Sequence, residues 1–403
     1  MRPRRSKETG LVHDNLSWES LVIHGDADIE ETRDIAPPIH QTSTFASDSA
    51  QEFAHQATDP RPTHYYTRAG NPTHRRVEAI MAGLEKTEAA QITASGMGAI
   101  TCSILAHLAA GDHVIGQLNH YMAAGKFVDT ILPRFGVESD LVDQRDPEAF
   151  AAGIRPNTKV IFIETPSNPT GQVTDLAAIA ALAKEHGITT ICDNTFASPV
   201  NQQPATLGID LVIHSATKYL GGHHDLIAGV ICGSAERIDK VWSFVNMFGP
   251  TAGPIDAWLL LRGLRTLPLR VRQHNESGMA VAAYLEGHPG IDAVHYPGLA
   301  SHPDHAVACR QMSGFGATFS FEVKGSYRET EAFMSRLKMI RQAVSLGGFE
   351  TLAVHAAAMW GGSLTDEQVR AAGVVPNMVR ISVGLESTQD IVADLDRALG
   401  CPG

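Results

Sequence analysis

His214-Ser215-Ala216-Thr217-Lys218-Tyr219-Leu220-Gly221-Gly222-His223-His224-Asp225 lies between two apolar runs, 211–213 and 226–231. Each run predicts a short buried strand. One lysine stands just past the first run, among hydroxylic residues and glycines. An amine held at a strand end in such company suits a lysine that bonds covalently to a carbonyl cofactor. In isolation, Ser-x-Thr-Lys reads more readily as a surface lysine in a polar turn. The rest of the chain reverses that order.

Upstream, strands and helices alternate. Residues 89–93 predict a strand, and Ala94-Ser95-Gly96-Met97-Gly98 turns it into a helix running to about 110 and stopped by Gly111. Small residues between a strand and a helix N-terminus form a phosphate site, because free N–H groups and the helix dipole point there. Further strands are expected at 113–115, at 159–163 ending on Glu164, and at 188–192 ending on Asp193, with an alanine-rich helix over 176–186. This alternation predicts a mostly parallel sheet covered by helices. Glu164, Asp193 and Lys218 then fall at one carboxyl edge, where open α/β sheets bind ligands.

Downstream, 254–286 reads as helix with a kink near Pro268. Alternation over 317–323, a helix near 329–337, a strand near 379–383 and a closing helix over 389–399 predict an α+β second domain. The organisation expected is an N-terminal arm, 1–60, largely extended; a cofactor-binding α/β domain, 61–253; and a C-terminal α+β domain, 254–403.

Bulk properties narrow the function. The chain has 403 residues, 43% of them hydrophobic, enough for more than one compact core. Its net charge of −12 argues against general binding to nucleic acid or anionic membranes. No apolar stretch approaches a membrane span, and the basic start (Arg2, Arg4, Arg5, Lys7) lacks the apolar run of a secretory signal. Five scattered cysteines fit free thiols in a reducing compartment, so a cytoplasmic protein is expected. His223-His224-Asp225 lacks the spacing of a helical ligand pair, and no metal site is expected. There is no GxGxxG and no GxxxxGK[ST].

A lysine-bound pyridoxal 5′-phosphate (PLP) needs four kinds of support, and the chain offers each. Asp193 is placed to keep the pyridine nitrogen protonated. Ser95, Gly96 and Met97, with Ser215 and Thr217, suit the phosphate. Tyr121 is a candidate cover for the ring. Arg380, on the expected strand of the second domain, suits a substrate carboxylate.

The combined motifs resemble the Cys/Met-metabolism (trans-sulfuration) family of fold-type I PLP enzymes: cystathionine γ-synthases and γ-lyases, methionine γ-lyases and O-acylhomoserine sulfhydrylases. They include Gln41-Thr42-Ser43-Thr44-Phe45, Tyr66-Thr67-Arg68 before Asn71-Pro72-Thr73, and Glu164-Thr165-Pro166-Ser167-Asn168-Pro169. They continue with Asp193-Asn194-Thr195-Phe196-Ala197-Ser198-Pro199, Ser345-Leu346-Gly347-Gly348 and Arg380-Ile381-Ser382-Val383-Gly384. The resemblance spans nearly the whole chain. It implies that Lys218 is the Schiff-base lysine and proton shuttle and that Asp193 pairs with the pyridinium. It implies that Gly96, Met97, Ser215 and Thr217 hold the phosphate, aided by Tyr66 and Arg68 from a neighbouring subunit. Tyr121 then stacks on the ring and takes part in proton transfer, while Asn168, Ser345 and Arg380 orient cofactor or substrate. A homotetramer built as a dimer of dimers with shared active sites is implied, acting on a small amino acid.

The reaction implied is γ-elimination or γ-replacement at Cγ of a homoserine- or methionine-type amino acid. Departures from the family bear on the substrate. Met122-Ala123-Ala124 stands where Gly-Gly-Thr is usual, and Ala123 stands near a cysteine frequent in methionine γ-lyases. Val344 replaces a glutamate frequent in enzymes that handle cystathionine, which favours a methionine γ-lyase-like reading. His355-Ala356 replaces His-Pro. An oxygen-linked substrate such as canavanine, an O-acylhomoserine sulfhydrylase, an aminotransferase and a non-catalytic PLP-binding protein are the alternatives.

Overall fold

The computed structural model describes residues 16–29, 32, 34–362, 369 and 373–400. Among them, seven strands form the larger sheet: β1 (Ala89–Thr93), β2 (His113–Gln117), β3 (Glu138–Val142), β4 (Thr158–Glu164), β5 (Thr189–Asp193), β6 (Leu211–Ser215) and β7 (Gly229–Gly233). Their order is β1-β7-β6-β5-β4-β2-β3. β7 runs antiparallel to both β1 and β6, and the remaining pairs are parallel. The carboxyl ends of the other six strands therefore share one edge, as a doubly covered α/β sheet requires. This is the expected mostly parallel fold.

Side-chain alternation builds a core on each face. Along β4, Ile161 and Ile163 join the core beneath the helices Pro72–Glu85, Leu176–His186 and Pro254–Leu264, while Val160 and Phe162 join the one beneath Gly96–Leu105 and Ala235–Phe248. Each such buried side chain contributes about 1.5–3 kcal/mol.

A second sheet, β8 (Ile291–His295), β9 (Thr318–Val323), β10 (Arg341–Gln342), β11 (Leu352–His355) and β12 (Met378–Ser382), is ordered β10-β11-β12-β9-β8. It is antiparallel except for the β10–β11 pair. Phe319, Phe321, Val379 and Ile381 turn to a third core against the helices Leu267–Glu286, Tyr327–Arg336 and Thr388–Leu399.

Several expected boundaries move. The first 60 residues are not uniformly extended: helices span Trp18–His24 and Ala50–Thr58. The helix opening at Gly96 ends at Leu105 rather than near 110, because the Asp112 carboxylate takes the Ala109 amide (2.7 Å) and Gly111 adopts φ 91°. The strand expected at 226–231 begins only at Gly229, since the Thr217 hydroxyl accepts the Ala228 amide (3.1 Å) and closes a loop first. Pro268 does not kink a helix. Leu264 ends one helix, and Pro268 lies in the first turn of the next, where its missing N–H costs nothing.

Candidate active site

Several chain segments converge on the shared edge. Gly229, at the start of β7, lies opposite both Thr93 and Ser215. A Cβ there would come within 2.3 Å of the Ser95 carbonyl, so only glycine lets the turn after β1 close over β7. Gly96 is as crowded: its Cβ would fall 2.8 Å from that of Ser215. The Ser95–Met97 turn and Ser215 thus line one small cradle. Ser95 caps the helix, its hydroxyl accepting the Gly98 amide (3.0 Å), an interaction worth about 1 kcal/mol. The first-turn amides of Gly96 and Met97 cannot be satisfied within the helix and are left for a ligand.

Lys218 follows β6 and donates from Nζ to Ser345 Oγ at 3.0 Å. Burial, and then the nearby Arg380 guanidinium, lower its pKa to about 8. Ser345 itself holds φ 95°, a backbone state that costs a non-glycine residue on the order of 1 kcal/mol or more. Its carbonyl is held by Arg380 Nη2 at 3.0 Å, and Arg380 Nη1 donates to Asn168 Oδ1 at 3.2 Å. Arg380 is buried in β12, its Nε has no partner, and among the described residues no carboxylate pairs with it. A buried guanidinium left in this state is a receptor for an anion.

Asp193 ends β5 in register with Glu164 at the end of β4. Its Oδ1 accepts both the amide (3.0 Å) and the hydroxyl (2.5 Å) of Thr195, and that hydroxyl also accepts the Ser215 amide (2.8 Å). Oδ2 has no protein donor among the described residues and remains for a cationic partner. Burial raises the Asp193 pKa, and the Thr195 donors and His214 oppose the rise. His214 Nε2 lies 2.5 Å from Glu85 Oε1, a buried pair behind the site. Tyr121 begins the short helix Met122–Lys126, with its side chain 43% exposed.

The structure thus brings Lys218, Ser345, Arg380 and Asn168 into one bonded chain. It sets Asp193, Ser215, Ser95, Gly96, Met97 and Tyr121 along the same edge. The Thr217 hydroxyl is engaged with Ala228. Tyr66 and Arg68 do not join this group. Arg68 sits 5.3 Å from the Tyr66 ring centroid and donates to Asn246 Oδ1 at 3.1 Å. The sequence places Glu164 at the ligand-binding edge without a specific role, and it assigns Thr195 none. The Asp-x-Thr spacing, which favours a side chain accepting from a backbone two residues on, was the signal for Thr195.

These groups fit PLP: a tight helix N-terminus for a phosphate, an open carboxylate oxygen for a ring nitrogen, and an amine of lowered basicity; the orphaned Arg380 Nε is left for a substrate anion. One expected result follows. With Lys218 as the group that captures PLP, the unprotonated amine is required, and the capture rate of the cofactor-free protein is expected to rise with pH through about 8 and then level. Stopped-flow absorbance measures it; a rate still climbing tenfold per unit at pH 9 would contradict the environment described.

Comparison with known proteins agrees with this geometry. The model of the Cys/Met metabolism PLP-dependent enzymes matches residues 19–400. An L-methionine gamma-lyase of Treponema denticola is 41% identical over 96% of this chain and 97% of its own length. A cystathionine gamma-synthase of Mycobacterium bovis is 40% identical over 90% and 91%. The solved structure of cystathionine gamma-lyase from Lactobacillus plantarum complexed with L-serine superposes with a TM-score of 0.88, at 38% identity over 95% and 98%.

Proposed function

Because this chain belongs to the Cys/Met metabolism family of PLP-dependent enzymes, we propose that the edge bearing Lys218 carries the γ-elimination or γ-replacement that defines its relatives, on a methionine-type amino acid. The observation that carries the assignment is Arg380, a buried cation held by Asn168 and the Ser345 carbonyl beside the Lys218 amine. An α-amino acid brings a carboxylate to the first group and its Cα to the second.

When bound, PLP supplies a carbonyl for the amino group and a ring that withdraws the electron pair left at Cα. Arg380 binds the carboxylate and Asn168 steadies the guanidinium. Lys218 Nζ takes the Cα proton and returns protons to carbon. Asp193 Oδ2 holds a proton on the ring nitrogen while Thr195 fixes Oδ1. Gly96 and Met97 anchor the phosphate, with Ser215 and Thr217 beside them, and Tyr121 covers the ring and excludes water. In the net elimination, the Cγ–X bond breaks with its pair leaving on X. Cα loses its hydrogen, Cγ gains a proton, and water releases ammonia and a 2-oxo acid. In replacement, a nucleophile bonds to Cγ instead.

Val344, the residue before Ser345, favours an uncharged γ-substituent, being apolar and 64% exposed. A second reading rests on Asp225 and Glu350, whose charges both act on His224 in the adjoining loop. They favour a cationic oxygen-linked substituent such as that of canavanine. Tyr66 and Arg68 are proposed to serve a partner's site within a tetramer. The organisation proposed is arm 1–60, cofactor-binding domain 61–253 and C-terminal domain 254–403, in the cytoplasm. No helix among the described residues is long and apolar enough to cross a membrane.

The test is turnover of methionine, cystathionine, O-acetyl- and O-succinylhomoserine (each with and without cysteine or sulfide) and canavanine, reading 2-oxobutanoate, thiol, homoserine and new thioether. Methionine is expected to lead; no turnover of any member would overturn the assignment. Arg380→Lys keeps the charge and loses the fork, and is expected to raise KM about 10²-fold with a smaller change in kcat.

A further inference from the structure

Glu164 is an acid where an acid is costly. It is 4% exposed, ends β4, and stands in register beside the buried Asp193. Two adjacent buried carboxyls repel when both are charged. Burial, and then Asp193, push the Glu164 pKa up to about 8, so this side chain is largely protonated near neutral pH; burial raises the Asp193 pKa as well, against the opposing Thr195 donors.

Its hydrogen bonds show what it holds. Oε2 accepts the Tyr121 amide at 2.6 Å. Among the described residues this is the side-chain bond to the Tyr121 backbone: the residue heads the helix Met122–Lys126 without a side-chain cap, its carbonyl accepts the Ala124 (2.8 Å) and Gly125 (3.0 Å) amides, and its ring is half-exposed. Gln117, at the end of β2, ties the same two segments together. Its Oε1 accepts the Glu164 amide (2.9 Å), while Nε2 donates to the carbonyls of Glu164 (2.8 Å) and Asn119 (2.7 Å). The preceding residue is fixed separately, His120 stacking on Phe162 at 4.7 Å and accepting the Gln117 amide. The Glu164–Tyr121 bond is thus the last tie before the aromatic side chain.

We propose that Glu164 is a positioning residue that sets the stance of Tyr121 over the cofactor by holding the Tyr121 backbone at the sheet edge. The inference rests on the reading that PLP occupies this edge. It requires an acceptor at position 164 and no charge. Glu164→Gln therefore retains function, whereas Glu164→Ala removes the tie.

The test is a double-mutant cycle on PLP-loaded protein with Glu164→Ala, Glu164→Gln, Tyr121→Ala and the Glu164→Ala/Tyr121→Ala pair. Its readouts are the visible circular dichroism of the bound cofactor and the rate of cofactor release, with thermal unfolding of each apoprotein as the check on folding. Glu164→Ala is expected to weaken the dichroic band and speed release about tenfold, the effect of one lost hydrogen bond. Glu164→Gln stays within about twofold of the wild type, and the double variant is no worse than Tyr121→Ala alone. Additive effects, or an unchanged band in Glu164→Ala, would overturn the role. Should Glu164→Ala not fold, Glu164→Leu keeps the buried volume without an acceptor and carries the same expectation. These readouts need no substrate. A holding cycle without turnover of any γ-substituted amino acid defeats the reaction assignment alone, and turnover with an additive cycle defeats the Glu164 role alone.

Discussion

Lys218→Ala is expected to lower turnover of every γ-substituted amino acid by about 10⁴-fold or more, without unfolding the protein. The size follows from two duties of one amine. Nζ is the group proposed to attach to the cofactor and to carry the proton for Cα and Cγ. Its setting serves both. Burial and Arg380 lower its pKa from 10.5 to about 8, raising the free-amine fraction at neutral pH by roughly two orders of magnitude. The phosphate cradle does not depend on it, since Gly96 and Met97 are fixed by the Ser95 cap and the contact with Ser215. The variant should therefore still retain PLP on gel filtration, in a form that borohydride does not fix to the chain. Residual turnover above about 1% of wild type would show that another base carries the proton.

Asp193→Asn is the second large effect, an expected loss of about 10²–10³-fold in kcat with KM within about threefold. Asparagine keeps an oxygen for the Thr195 amide and hydroxyl, so the geometry at Ser215 survives. It removes the charge proposed to hold a proton on the ring nitrogen. The sign extends to Glu164: without the Asp193 charge beside it, its carboxyl ionises at lower pH than in the wild type. Steady-state kinetics across pH read both effects. An unchanged kcat would place the ring nitrogen against some other group.

The larger sheet was legible because its central strands are buried on both faces and read as apolar runs that end on polar residues, as 159–164 and 188–193 do. β3 was not, because Glu138-Ser139-Asp140-Leu141-Val142 is a polar edge strand. β10, two residues long, carries no periodic signal. The candidate site was legible as residue types at strand ends. Its wiring was not. The Lys218–Ser345 and Arg380–Asn168 bonds join residues 127 and 212 positions apart, and the Glu85–His214 pair spans 129. The first two contacts depend on how the second sheet docks on the first, and the third on how the helix Pro72–Glu85 packs on the larger sheet. Nor did local sequence show that Thr217 spends its hydroxyl on Ala228, a bond that replaces the first rung of the expected strand.

Bond cleavage at Cγ is tested most directly by the position of deuterium in product formed in D₂O. Methionine, or whichever γ-substituted amino acid leads the panel, is incubated with the PLP-loaded protein, and the 2-oxo acid is analysed by proton NMR. Loss of the γ-substituent leaves Cγ to be protonated from Lys218 and solvent, so 2-oxobutanoate carrying one deuterium on its methyl carbon is predicted, with none formed by Lys218→Ala. A 2-oxo acid that keeps its γ-substituent, with no deuterium at Cγ, would mean transamination and would contradict the account.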